Sequence, residues 1–156
     1  MPEQPDAVVG ARESIRHIAR DPVTKLLLEN SQLTLPQLET LLADSLAREH
    51  EGQKTQRRLY RPTRTRVSRG SYNRSLIQAQ NNVIQSIYTI LLLGYVGLFD
   101  SAALQPFVEL SDTIQGYIQE RRKGVIEDRA TIEQLNRRLI EAISALAKRD
   151  SFKDIL

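Results

Sequence analysis

Residues 56–74, QRRLYRPTRTRVSRGSYNR, carry most of the chemistry in this chain. Seven arginines stand there, Arg57, Arg58, Arg61, Arg64, Arg66, Arg69 and Arg74, with Lys54 just ahead of them. A guanidinium is planar, permanently charged, and presents N–H groups in a fork that matches two oxygens of a phosphate or a carboxylate at once. The residues between the arginines extend the same chemistry. Tyr60 and Tyr72 offer rings that stack on bases or pack on sugars. Ser71 adds a hydroxyl donor for phosphate oxygens, and Asn73 and Gln78, like Arg, can pair bidentately with base edges. Arg57, Arg58, Arg61, Arg64 and Arg66 are expected to meet phosphates or enter a minor groove. Arg69, Ser71, Asn73, Arg74 and Gln78 are expected to approach the major groove from the first turns of a helix.

The chain has 156 residues, 22 Lys+Arg against 19 Asp+Glu, and a formal net charge of +3. From residue 52 to residue 99 there is no Asp or Glu. The eight cations of that stretch give it +8, so the remainder carries −5, the difference from the chain total of +3. A concentrated cationic segment on a mildly acidic chain attracts a polyanion locally. Two other readings fit the same residues. The segment could lie along the acidic helices of its own fold, or meet an acidic protein surface.

Other chemistries find little support. With no Cys, thiolate metal sites, disulfides and cysteine nucleophiles are absent. The two histidines are His17 and His50. His17-Ile18-Ala19-Arg20 resembles the bare His-x-x-Arg of tyrosine recombinases, but the chain is far too short for that catalytic domain. His50 stands between Glu49 and Glu51, where its charged form suits a helix C-terminus. No glycine-rich phosphate loop, nucleophile elbow or His-Glu-x-x-His occurs, so no enzyme, no cofactor and no small-molecule substrate is expected. The start MPEQPDAVVGAR lacks a basic end followed by an apolar core, so no signal peptide is read. Residues 83–99, VIQSIYTILLLGYVGLF, are 17 in number and interrupted by Gln, Ser and Gly. A spanning helix needs about 20 mostly apolar residues, so no membrane partner is expected. A cytoplasmic or nucleoid-associated setting follows.

The elements that must position these side chains read as all-α, a bundle of about six helices. Residues 1–10, with two Pro and a Gly, read as a flexible end. Residues 11–49 read as three helices. The first covers about 11–20. The second follows Asp21-Pro22, an N-cap with proline in the first helical position. The third starts at the capping box Thr34…Gln37 and carries the stripe Leu35, Leu38, Leu41, Leu42 and Leu46. Residues 50–70 lose the periodicity and read as a basic extended arm or hairpin. Ser68 or Ser71 caps the next helix. Its second half, residues 87–95, is apolar on nearly every side and is ended by Gly94 or Gly97, and the apolar segment 84–99 is expected as the central buried helix. Pro106 opens a helix to about residue 123. A last helix, about 126–149, has the heptad seam Ile132, Leu135, Leu139, Ala142 or Ile143, and Leu146. Residues 71–156 thus read as a helical core with a C-terminal helical hairpin, the whole forming one domain. The order of residues 33–46 and 68–80 resembles a helix-turn-helix in outline. The two are joined by about 20 residues where that motif uses three or four, so no family is assigned.

Together these features point to a non-catalytic nucleic-acid-binding protein, with duplex DNA favoured over RNA and a transcriptional or architectural role. A homodimer is expected, since duplex sites are commonly read by two-fold symmetric proteins and the C-terminal seam offers an interface. The alternative is a helical interaction module whose basic segment binds an acidic protein surface.

Overall fold

The computed structural model describes residues 5–49, 57–63, 67–98, 101–122 and 129–147. Among the described residues the chain is all-α, with six helices, α1 (Pro5–Arg20), α2 (Pro22–Glu29), α3 (Leu35–Glu49), α4 (Arg69–Tyr95), α5 (Ser101–Arg122) and α6 (Arg129–Ala147), and a 3-10 turn at Arg57–Tyr60. No strand occurs among the described residues. The chain divides into two compact units, Met1–Ile87 and Tyr88–Leu156, and the division falls inside α4.

Local sequence accounts for the helix ends of the first unit. Asp21 caps α2 by accepting from the Thr24 N–H at 2.9 Å, with Pro22 at the first helical position. Thr34 and Gln37 form the reciprocal box at the start of α3: the Thr34 N–H donates to Gln37 Oε1 at 3.0 Å and the Gln37 N–H to Thr34 Oγ1 at 3.4 Å. Ser68 caps α4, its Oγ accepting from the Ser71 N–H at 3.2 Å. The first helix begins at Pro5, six residues before the sequence places it. Val8, Ala11 and Ile15 share one of its faces and join the core, so packing extends the helix through a segment of weak local signal.

That core brings Ala11 and Ile15 of α1, Ala43 and Ala47 of α3, Tyr60, Val67, and Tyr72 and Leu76 of α4 into one cluster. The inward face of α3 differs from its leucine stripe. Glu39, Thr40, Ala43, Asp44 and Ala47 are the buried residues, whereas Leu41, Leu42 and Leu46 are half-buried at the cluster's flanks. Small side chains at 43 and 47 leave room on that face for α1 and the 3-10 turn to pack against α3, and long leucines close the sides.

Two further expectations are corrected. Residues 57–63 are not an extended arm or hairpin: Arg57–Tyr60 form the 3-10 turn, which packs against α1 and α3, and Arg61 and Thr63 reach Glu39 of α3. Tyr60 is fully buried, and nearby carboxylates pair with the cations that would otherwise repel one another. Residues 50–56 and 64–66 of the expected arm lie outside the described residues. The later half of α4 is not centrally buried either. Ile84, Ile87, Leu91 and Tyr95 are all exposed, since apolar composition favours burial without supplying a surface to bury against. Phe99 lies outside the described residues.

Gly97 ends α4 in the left-handed conformation, φ 75°. The Leu98 N–H reaches the Leu93 carbonyl at 3.0 Å and the Gly97 N–H reaches Gly94 at 3.1 Å, the bond pair of a Schellman cap. In the second unit α5 starts at Ser101, so Pro106 lies inside the helix instead of opening it. The link expected to join α5 and α6 as a hairpin, residues 123–128, lies outside the described residues.

Candidate nucleic-acid interface

The basic segment and the start of α4 sort into two groups, one turned inward and one turned to solvent. The inward group is anchored by two carboxylates of α3. Asp44 accepts from Arg57 and pairs with Arg48 Nη2 at 2.7 Å, although its own side chain is almost wholly buried. Arg57 also donates to Asn73 Oδ1 at 3.1 Å, and its guanidinium carbon lies 5.3 Å from the centre of the Tyr72 ring, a cation–π distance. One arginine therefore ties α3 to the first turns of α4. Asp44, Ala47, Arg48 and Arg57 line a shallow cavity of about 330 Å³ at this junction.

Glu39 is the second anchor. It accepts from the Thr63 N–H at 3.4 Å and from the Thr63 hydroxyl, and Arg61 Nε lies 3.9 Å from its Oε2. Glu39 and Arg61 are 1% and 3% exposed, so this charge pair is held in the interior. Arg58 donates to the Val67 carbonyl at 3.4 Å, and Arg12 donates to the carbonyl of Leu59, fixing the turn from both sides. The Tyr72 hydroxyl donates to the Thr40 carbonyl at 3.2 Å, and the hydroxyls of Thr40 and Ser75 are 3.3 Å apart. Farther along α4, the Asn82 amide donates to the Gln32 carbonyl at 3.0 Å.

The outward group lies on α4. Arg69, Ser71, Asn73, Arg74 and Gln78 are exposed, and Tyr72, Leu76 and Ala79 are buried. At about 100° per residue, Arg74, Gln78 and Asn81 project from the side opposite Tyr72, Leu76 and Ala79. Burying one set thus fixes the other toward solvent. No acidic residue interrupts this helix, so both arginines act without a carboxylate on their own element.

Of the thirteen residues singled out from the sequence, Arg69, Ser71, Asn73, Arg74 and Gln78 are brought together on one exposed helix. Tyr60, Arg61 and Tyr72 are interior, where Tyr60 and Tyr72 fill the core in place of stacking on bases. Arg57 and Arg58 are half-buried and engaged with the fold. Lys54, Arg64 and Arg66 lie outside the described residues, as does His50. Sequence reasoning missed Glu39 and Asp44 as the partners of Arg61 and Arg57. The signal available was the small-residue pair Ala43 and Ala47, which marks the inward face of α3 and carries Glu39, Thr40 and Asp44 in with it. No group of three or more His, Cys, Asp or Glu suited to a metal ion occurs among the described residues.

Burial pushes the Tyr72 phenol well above its usual range, and the Asp44 carboxylate adds to the rise; Arg57, Arg61 and Arg48 oppose it. Burial raises Tyr60 as well. An unfolded tyrosine ionises at about pH 10. The folded chain holds these protons to higher pH, so their contribution to stability is complete below about pH 10 and is lost as pH rises above it. The unfolding midpoint should therefore fall steeply on the alkaline side, and Tyr72→Phe should make that fall shallower. An equally steep fall in the Phe variant would contradict the assignment.

The fold and site define an all-α protein whose basic segment is docked in part onto α3 and whose fourth helix presents an arginine-bearing polar face. No protein-family model matches the chain, and neither a curated protein nor a solved structure matches it.

Proposed function

We propose that the chain is a non-catalytic nucleic-acid-binding protein, favouring duplex DNA, with a transcriptional or architectural role. The observation that carries the reading is the polar start of α4, where Arg69, Ser71, Asn73, Arg74 and Gln78 are exposed on a helix with no acidic residue, with Arg74 and Gln78 opposite buried Tyr72, Leu76 and Ala79. Arg and Ser supply phosphate contacts, and Arg, Asn and Gln match base edges. Lys54, Arg64 and Arg66 add cationic charge close by in the sequence. In this proposal Arg57 and Arg61 serve the interface indirectly, by tying the basic segment and α4 to α3.

Neutralising phosphates releases counterions, so log affinity for duplex DNA should fall with log salt at a slope near −0.9 per contact. With about four to six contacts the slope lies near −4 to −5. Retardation of duplex, single-stranded DNA and RNA at two salt concentrations checks this, and binding that ignores salt would sink the proposal. The rival reading, an interaction module for an acidic protein surface, draws on the pairing of Arg57 and Arg61 with Asp44 and Glu39, which shows this segment already engaging carboxylates. It predicts no retardation of any nucleic acid.

A further inference from the structure

The unit Tyr88–Leu156 leaves much apolar surface in water. Among its described side chains Leu139 is the buried hydrophobic, whereas Tyr88, Ile90, Leu91, Leu92, Tyr95 and Leu98 are 43% to 90% exposed. Four of these, Tyr88, Leu91, Leu92 and Tyr95, recur at i, i+3, i+4 and i+7 and so line one face of α4. Monomeric proteins rarely expose a contiguous apolar patch beyond a few hundred Å². Among the described residues no helix is long and apolar enough to cross a membrane.

We propose that this uncharged end of α4 is the pairing surface of a homodimer, with a second copy of the chain as its occupant. Residues 75–99 contain no Asp, Glu, Lys, Arg or His. In a two-fold interface each patch faces its own copy, so a charge near the axis meets its like. A stretch of 25 residues without a charged side chain suits that geometry, and it offers a different protein no charge by which to be selected. Tyr88, Leu91, Leu92 and Tyr95 are 58% to 90% exposed, so the one face they share stands mostly in water and calls for a cover. Tyr88 and Tyr95 supply the aromatic anchors that such interfaces concentrate at their centres. The pairing surface is α4, not the C-terminal seam that the heptad spacing suggested, and it does not depend on what the polar end of α4 binds.

Sedimentation equilibrium of the full chain tests the proposal. The wild type should sediment at twice 17.8 kDa across micromolar concentrations. The double variant Leu91→Lys, Tyr95→Lys should sediment at 17.8 kDa with its helical circular dichroism intact, because both side chains are exposed within one chain. A wild type at the single-chain mass, a variant that keeps the doubled mass, or a variant that loses helix would each overturn the proposal. So would a single-chain wild type that co-sediments with lipid vesicles. A second measurement needs no disruptive change. The chain has no Cys, so Tyr95→Cys places one spin label per chain. An intermolecular dipolar signal that fades on dilution with unlabelled chain is expected, and its absence would contradict the dimer. The Arg69→Ala, Arg74→Ala chain should keep the doubled mass, so failure of DNA binding and failure of pairing are read separately.

Discussion

Replacing Glu39 with Ala lowers the unfolding free energy by about 3–5 kcal/mol, the cost of breaking a buried charge pair from one side. Glu39 receives the Thr63 N–H at 3.4 Å and its hydroxyl, and faces Arg61 at 3.9 Å. Without the carboxylate, the guanidinium of a residue 3% exposed stays in a medium of low dielectric and loses its ion-pair partner on α3. The size of the effect reflects the charge left behind more than the strength of the pair. Replacing both partners, Glu39→Leu with Arg61→Met, should therefore recover most of the loss. Urea unfolding followed by helical circular dichroism measures both changes, with the midpoint moving and the slope constant. A Glu39→Ala chain within about 1 kcal/mol of wild type would mean that the pair is not held in the interior.

Tyr72→Ala should cost about 3–5 kcal/mol, because it removes a core ring and leaves a cavity. The ring is 1% exposed, lies among core residues from α1 and α3, and has the Arg57 guanidinium 5.3 Å from its centre. Tyr72→Phe keeps that packing and removes one donor, the hydroxyl that reaches the Thr40 carbonyl at 3.2 Å, so it should cost about 1 kcal/mol. The contrast separates packing from hydrogen bonding in one position. Because Tyr72 and Asn73 are the contacts of Arg57 on α4, the Ala variant should also weaken nucleic-acid binding, although its side chain touches no ligand. Equal losses in the Ala and Phe variants would show that the hydroxyl, not the ring, holds the helix.

Much of the fold was legible in the sequence, and the illegible parts have physical causes. Helix signals that act within a few residues were read directly. Asp21-Pro22, Thr34 with Gln37, and Ser68 all cap where their side-chain chemistry places them. What local pattern could not show was which face of a helix the rest of the chain would cover. The leucines of α3 looked like its core face, yet Ala43 and Ala47 form the buried contact and bring Glu39 and Asp44 inward with them. Arg57 and Arg61 looked like part of an arm because their carboxylate partners, Asp44 and Glu39, stand on a separate helix 13 or more residues earlier in sequence. Apolar residues 84–98 looked buried for the same reason in reverse: composition states that a surface avoids water but not what it meets. Arg69, Ser71, Asn73, Arg74 and Gln78 are polar types that stand exposed on α4, as their residue types suggest. Tyr60, Arg61 and Tyr72 were misplaced because the same residue types also serve a buried polar network.

The most direct test compares two variants in one salt titration of duplex DNA binding. If the exposed face of α4 makes the contact, Arg69→Ala with Arg74→Ala reduces the log–log salt slope by about 1.8 and weakens binding at every salt concentration. Arg61→Met with Glu39→Leu, which removes a buried cation together with its carboxylate partner, leaves the slope unchanged. An unchanged slope in the first variant together with a reduced slope in the second would contradict the account.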